Sequence, residues 1–142
     1  MMGIATTDST AVMNWHDTQA LRYKRAKRVR VLIVEDDPDL REFMALLLTD
    51  AGFDTDVASN GQVALDKARD NPPRVIVLDM MMPVMDGWAF RAHQRCSVTL
   101  AAIPVVILSA VPLAHLGNVG AAAALQKPFR ENELVAAIRA YC

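Results

Sequence analysis

Val75-Ile-Val-Leu78 is the stretch that most restricts how this chain can fold, because four β-favouring apolar residues stand in a row with no polar residue between them. A strand with one wet face alternates, so this one is buried on both faces, as in a parallel sheet covered by helices on either side. The run ends on a carboxylate, Asp79, and no polar residue follows until Asp86. Pro83 and the pair Asp86-Gly87 supply turn chemistry soon after it. In open α/β sheets, ligands bind beyond the carboxyl ends of the strands, which is where Asp79 stands. A terminal Asp taken alone is as readily a cap on a turn. The rest of the chain decides between the two.

The flanking sequence repeats the theme. Val29 to Val34 predicts a first strand, closed by Glu35-Asp36-Asp37-Pro38. Pro38 suits a first helical position with Asp37 as its N-cap. Leu40, Phe43, Met44, Leu47 and Leu48 recur at three and four and predict an amphipathic helix ending at Ala51-Gly52. Phe53 to Ala58 is a second strand. Asn60 caps a helix to about Asp70, with Val63, Ala64, Leu65 and Ala68 inward, stopped by Asn71-Pro72-Pro73. After the third strand come a helix over Trp88–Arg95 and a buried strand over Ile103–Ser109, whose entry tolerates Pro104. Residues 113–119 leave space for a short helix only. Ala123–Gln126 is a fifth strand, and Phe129 opens a last helix with Leu134, Val135, Ile138 and Tyr141 as its core stripe. This alternation predicts an α/β fold: a three-layer α/β/α sandwich on a five-stranded parallel sheet, in the flavodoxin-like doubly wound order 2-1-3-4-5, with a shortened fourth helix.

A length of 142 residues, 53% of them hydrophobic, suits one domain with one core. We expect that domain over residues 29–142, after a flexible or partly helical extension over 1–28. Leu21 to Arg28 gathers five basic residues, and the basic segment 22–30 reads more readily as a solvated extension than as a docking arm. A net charge of −1 gives no global field toward nucleic acid or membrane. Cys96 and Cys142 lack the spacing of a disulfide framework or a zinc site. No apolar run reaches a membrane span and no secretory signal opens the chain, so a cytoplasmic location is expected.

Polar residues gather at one edge of the predicted sheet. Strand one ends in Glu35 and Asp36, strand three in Asp79, strand four in Ser109, and strand five in Lys127-Pro128. Three carboxylates packed together require a cation or raised pKa values. Oxygen donors without His or Cys point to a hard divalent ion, Mg2+ or Mn2+. Lys127 can pair with a phosphate, the Ser109 hydroxyl can donate to it, and a carboxylate nucleophile gives an aspartyl phosphate. Met80, Met81, Met82 and Met85 read as gap-filling core rather than a copper site. His16, His93 and His115 are scattered and carry no site.

The segments Val34-Glu35-Asp36-Asp37-Pro38, Leu78-Asp79-Met80-Met81-Met82-Pro83-Val84-Met85-Asp86-Gly87, Leu108-Ser109-Ala110 and Lys127-Pro128-Phe129 resemble, in order, the receiver domain of two-component response regulators, of the chemotaxis-regulator kind. The resemblance covers residues 29–142. It implies that Asp79 accepts a phosphoryl group from a histidine kinase or phosphotransfer protein. It implies Mg2+ (or Mn2+) held by the side chains of Asp36 and Asp79, by Glu35 through water and by the Met81 backbone carbonyl. Ser109 would be the switch hydroxyl, Lys127 the phosphate contact, Pro128 the second residue of a cis bond, and Gly87 the turn into the third helix. Such a domain is a signalling module, not an enzyme. It promotes only its own phosphorylation and slow autodephosphorylation, and it acts by altered protein–protein binding on a downstream target that the sequence does not identify. No DNA-binding domain is expected within this chain and no membrane contact; a homodimer is compatible. The competing readings are an unphosphorylated docking module and an aspartyl-nucleophile phosphatase, though Met80 and Met81 stand where the latter needs a second acid.

Three features depart from the resemblance. Ala124, three residues before Lys127, replaces the usual aromatic switch residue. Ser109 and Lys127 are 18 residues apart, about four fewer than usual, or about one helical turn. With Pro112, Gly117 and Gly120 in the gap, the fourth helix and the output face it builds are expected to be altered. Met81 and Val111 place apolar groups beside the acceptor, which predicts slow self-dephosphorylation.

Overall fold

Each apolar run becomes a short parallel strand, and each period-3.6 stretch a helix covering one face. The computed structural model describes residues 18–20 and 28–142. The expected extension otherwise lies outside the described residues, as do Trp15, His16 and basic positions 22–27. The strands are β1 (Arg30–Val34), β2 (Asp54–Ala58), β3 (Val75–Asp79), β4 (Val105–Ser109) and β5 (Ala123–Gln126), and the helices α1 (Pro38–Asp50), α2 (Gly61–Asp70), α3 (Gly87–Arg95) and α4 (Glu131–Arg139). The sheet is parallel throughout, in the order β2-β1-β3-β4-β5. The expected short fourth helix is one 3-10 turn, Leu113–His115. Gly117 and Gly120 after it take φ of +73° and +63°, which a right-handed helix does not accommodate.

Successive strand residues point to opposite faces. Leu32, Val34, Ile76, Leu78 and Ile107 meet Ala64, Leu65, Ala68 and Phe90 of α2 and α3. Val31, Ile33, Val75, Val77, Val106 and Leu108 meet Met44, Leu48, Leu134 and Ile138 of α1 and α4. β3 and β4 are buried along their whole length, so their lack of alternation is the signature of two covered faces. β2 forms an edge, and there Arg30 pairs with Asp56 at 2.7 Å and Asp54 at 3.8 Å.

The chain leaves β1 toward β2 and then returns to the other side of β1 for β3, so the strand order reverses between β1 and β3. That reversal is where an α/β sheet opens a crevice at its carboxyl edge. The pairing of Val34 with Leu78 puts the next residues, Glu35 and Asp79, side by side there. Caps fix the helix starts around it. Asp37 Oδ1 accepts from the Asp39 and Leu40 amides at 3.0 and 3.5 Å, with Pro38 in the first turn. Asn60 accepts from Val63 at 3.0 Å, and Asp86 from Ala89 at 2.9 Å. Each is a side-chain acceptor for an amide that the helix leaves without a partner.

Some expectations are corrected. β1, β2 and β4 begin one or two residues later than the apolar runs suggest. Phe43 is 45% exposed rather than core; with Leu40, Pro128, Phe129 and the stem of Lys127 it lines a shallow apolar recess. Tyr141 is also exposed, and its hydroxyl donates to the Ala122 carbonyl at 2.6 Å. Of the methionine run, Met80 and Met82 fill core as expected, but Met81 is 54% exposed.

Gly87 begins α3 hard against β3. A Cβ there would meet the Met80 sulfur and lie 2.7 Å from the Met80 Cα. Backbone cannot yield as a flexible side chain does. Gly87→Ala therefore destabilises the fold by about 1–3 kcal/mol, the usual cost of overpacking, read as a lowered urea midpoint; an unchanged midpoint would show that the β3–α3 junction has slack.

Candidate functional site

The ends of β1, β3, β4 and β5 bring Glu35, Asp36, Asp79, Ser109 and Lys127 into one crevice. Glu35 and Asp79 are almost fully buried, and Asp36 is half-buried at the mouth. One oxygen from each of these three lies within 4.8 Å of the others. Lys127 reaches in from the opposite end of the sequence, with Nζ 2.8 Å from Glu35 Oε1 and 3.4 Å from Asp79 Oδ1. Its own backbone holds it in place: the Lys127 amide donates to the Ser109 carbonyl at 2.7 Å, and the Lys127-Pro128 bond is cis.

Local hydrogen bonds shape each side chain. Glu35 Oε2 accepts from the Asp37 amide at 3.2 Å, and Asp79 Oδ1 from the Met81 amide at 3.3 Å. The Ser109 hydroxyl is fully buried and is engaged by Val111, donating to its carbonyl at 2.8 Å and accepting from its amide at 3.0 Å. Serving a ligand at Asp79 would require that pair to open. Ala124 sits opposite Ile107, packed against the core on the α2/α3 face.

One residue of this site was not expected. Arg41, on the first turn of α1, donates through Nη1 to the carbonyls of Glu35 at 3.0 Å and Asp36 at 3.4 Å. It ties down the backbone that carries two of the carboxylates. Its signal in the sequence is a basic residue one turn after the Asp37 cap, a common arrangement with no single meaning.

The carboxylates do not share their charge evenly. Burial pushes Glu35 up to about 7, reinforced by the charge of Asp79 and opposed by the Lys127 hydrogen bond. Burial likewise raises Asp79, against the hydrogen bond from Glu35 and the charge of Lys127. Asp36 is held below the usual carboxylate range; burial works against this, but hydrogen bonds with Glu35 and Asp79 prevail. Lys127 is raised despite its burial, because Glu35 and Asp79 favour its charged form. Three carboxylates thus face one ammonium, and the excess negative charge favours uptake of a proton by the buried pair as pH falls toward and below about 7, Glu35 foremost. A hard cation would relieve it equally well. The donor set is all oxygen, with no His or Cys, and fits Mg2+ or Mn2+.

Between pH 4.5 and about 7 the folded chain holds a proton on Glu35 that the unfolded chain has released. Stability from this group is complete below 4.5 and is lost as pH rises through 7, on the order of 3 kcal/mol at about 1.4 kcal/mol per pH unit. In chelator-containing buffer, Glu35→Gln should therefore flatten the decline of the urea midpoint over that interval. An identical slope in both proteins would remove Glu35 as its source.

Comparison with known proteins bears on what this crevice belongs to. The response regulator receiver domain family matches residues 31–139. The DNA-binding response regulator MtrA of Mycolicibacterium smegmatis is 38% identical over 119 residues, covering 80% of this chain and 50% of that protein. The alkaline phosphatase synthesis transcriptional regulatory protein SphR of Synechococcus elongatus is 39% identical over 125 residues, covering 78% and 48%. The chain thus spans about half the length of these curated relatives. Among solved structures, the chemotaxis response regulator CheY4 of Vibrio cholerae superposes with a TM-score of 0.76 at 29% identity, over 82% of this chain and all of that one. The signal receiver domain of a histidine kinase from Syntrophus aciditrophicus follows at 0.75 and 27% identity, over 80% and 89%. No helix among the described residues is long and apolar enough to cross a membrane. Five parallel strands in the order 2-1-3-4-5, an acidic crevice at their switch point and a family match over most of its length make this chain a member of the response regulator receiver domain family of two-component signalling.

Proposed function

We propose that this receiver accepts a phosphoryl group on Asp79 from a histidine kinase or phosphotransfer protein, in a Mg2+-dependent reaction, and signals by altered protein binding. The observation that carries the reading is the pairing of a buried three-carboxylate cluster with a lysine that touches two of its members. A phosphohistidine donor supplies the phosphorus: an Asp79 oxygen forms the new O–P bond, the N–P bond breaks, and its electron pair returns to the imidazole nitrogen. Lys127 is placed to follow the charge, because its ammonium already bridges Glu35 and Asp79 and can turn to a phosphoryl oxygen. Asp36 and Asp79 would hold the ion directly, with Glu35 acting through water and Met81 offering its carbonyl. The ion supplies neutralisation of the transferring oxygens. Ser109 would leave Val111 to donate to the phosphoryl group.

Phosphotransfer from a phosphorylated histidine kinase with Mg2+ tests the reading. Label should pass to the wild type and not to Asp79→Asn, and chelator should abolish it. Label retained on Asp79→Asn would place the acceptor elsewhere. No transfer across a broad panel of kinases would favour the unphosphorylated docking module, and turnover of a phosphate monoester would favour the phosphatase.

The lifetime of the phosphoryl group follows from what surrounds Asp79. Met81 is exposed and Val111 half-buried, and neither carries a group that can orient an attacking water. After loading with a small phosphodonor and Mg2+, the acyl phosphate should decay over many minutes. A half-life of seconds would mean that another residue activates the water.

A further inference from the structure

Residues 110–122 join β4 to β5 with a single 3-10 turn, so their carbonyls cannot be satisfied by helical hydrogen bonds. Donors from α3 supply the deficit. Trp88 Nε1 donates to the Leu116 carbonyl at 3.3 Å, Arg91 Nε to Val119 at 3.0 Å, and Arg91 Nη2 to Gly120 at 2.9 Å. Arg91 is itself buried, and its remaining nitrogen donates to Gln94 Oε1 at 2.6 Å. Gln94 in turn donates to the Leu100 and Ile103 carbonyls at 2.9 and 3.0 Å. Among the described residues this arginine has no carboxylate partner, and its burial is offset by the oxygens it serves. Leu116 closes the contact on the core side, packed beneath the segment. The segment is a strap tied to α3.

The other end of the strap is tied to the site. Val111, its second residue, is the residue that holds the Ser109 hydroxyl through both its amide and its carbonyl. Turning that hydroxyl onto a ligand at Asp79 breaks at least its bond to the Val111 carbonyl and so loosens the strap at its root. Ala124 offers no ring whose rotation could carry the same change through β5.

We infer that this strap, anchored by Trp88 and Arg91 of α3, is the element that carries the state of Ser109 to the surface, in place of a fourth helix. Trp88 and Arg91 are positioning residues in this scheme: they touch the strap, not the phosphoryl group. The inference rests on Asp79 being the phosphoacceptor, and the test separates the two.

The full chain carries two tryptophans, so Trp15→Phe leaves Trp88 as the sole indole reporter. This protein is treated with acetyl phosphate and Mg2+, loading is followed by intact mass, and the strap is followed by Trp88 emission and by hydrogen exchange in 111–122. Loading should change both strap signals. In Ser109→Ala, loading should still add mass but leave the strap signals unmoved. Arg91→Lys keeps the charge but loses the forked geometry, and should speed exchange at 116–122 about fivefold without any loading, as expected for the loss of one or two hydrogen bonds. Mass gain with an unchanged strap in the wild type would overturn the inference alone. So would a strap response that persists in Ser109→Ala, or unaltered exchange in Arg91→Lys. Absence of any mass gain would overturn the Asp79 reading, and the coupling with it.

Discussion

One ammonium against three carboxylates is the constraint on which the rest of this molecule turns. Lys127 sits 2.8 Å from Glu35 and 3.4 Å from Asp79, yet it cannot balance them and Asp36 together. Exposed carboxylates would leave the residual charge to water, but Glu35 and Asp79 are buried and cannot. The crevice must therefore take up positive charge, as a proton or as a cation. A cation taken up there would in turn offset the negative charge of a phosphoryl group, as the proposed function requires. The fold supplies the juxtaposition. Glu35 and Lys127 are 92 positions apart in the chain, and parallel strands that all finish at one edge make them neighbours.

Much of this was readable in the sequence, for a definite reason. β3 and β4 lack alternation because both of their faces are covered, so their burial is written into local composition. The polar residues that interrupt those runs at the strand ends mark the crevice for the same reason: a polar group after a doubly buried strand sits either at a turn or at a site. Asp37, Asn60 and Asp86 cap the helices they precede, since capping acts over three residues and needs no distant partner.

What escaped was decided by long-range packing. Phe43 falls on the apolar stripe of α1 with Met44 and Leu48, but at the margin of that stripe where no second layer covers it. Tyr141 lies past the end of α4, and its ring is placed by the hydroxyl's bond to Ala122 rather than by burial. Arg91 and Gln94 invert the rule. Three residues apart on α3, they are of residue types usually left exposed, yet both are buried, with their donors on the carbonyls of Leu100, Ile103, Val119 and Gly120. The demand for these donors is invisible locally, because it arises from loop carbonyls elsewhere in the chain: those before β4 for Gln94, and for Arg91 those of the segment where a helix is missing.

The missing helix also bears on how such a domain can switch. A packed helix shifts as a unit, and its state is fixed by many buried apolar contacts that resist small perturbations. The strap is held instead by three side-chain hydrogen bonds from α3 and one from the Tyr141 hydroxyl to Ala122, with Leu116 as its buried foothold. Each such bond contributes about 1 kcal/mol net, so the anchored and released forms differ by a few kcal/mol. That is the range in which a minor state remains populated and a ligand with modest preference can invert the balance. Under the proposed function Ser109 would supply the preference, because its one proton cannot go to the Val111 carbonyl and to a phosphoryl oxygen at once. On the proposed reading, a weakly tied strap and a single contested hydroxyl would give a two-state response without the aromatic ring that Ala124 omits.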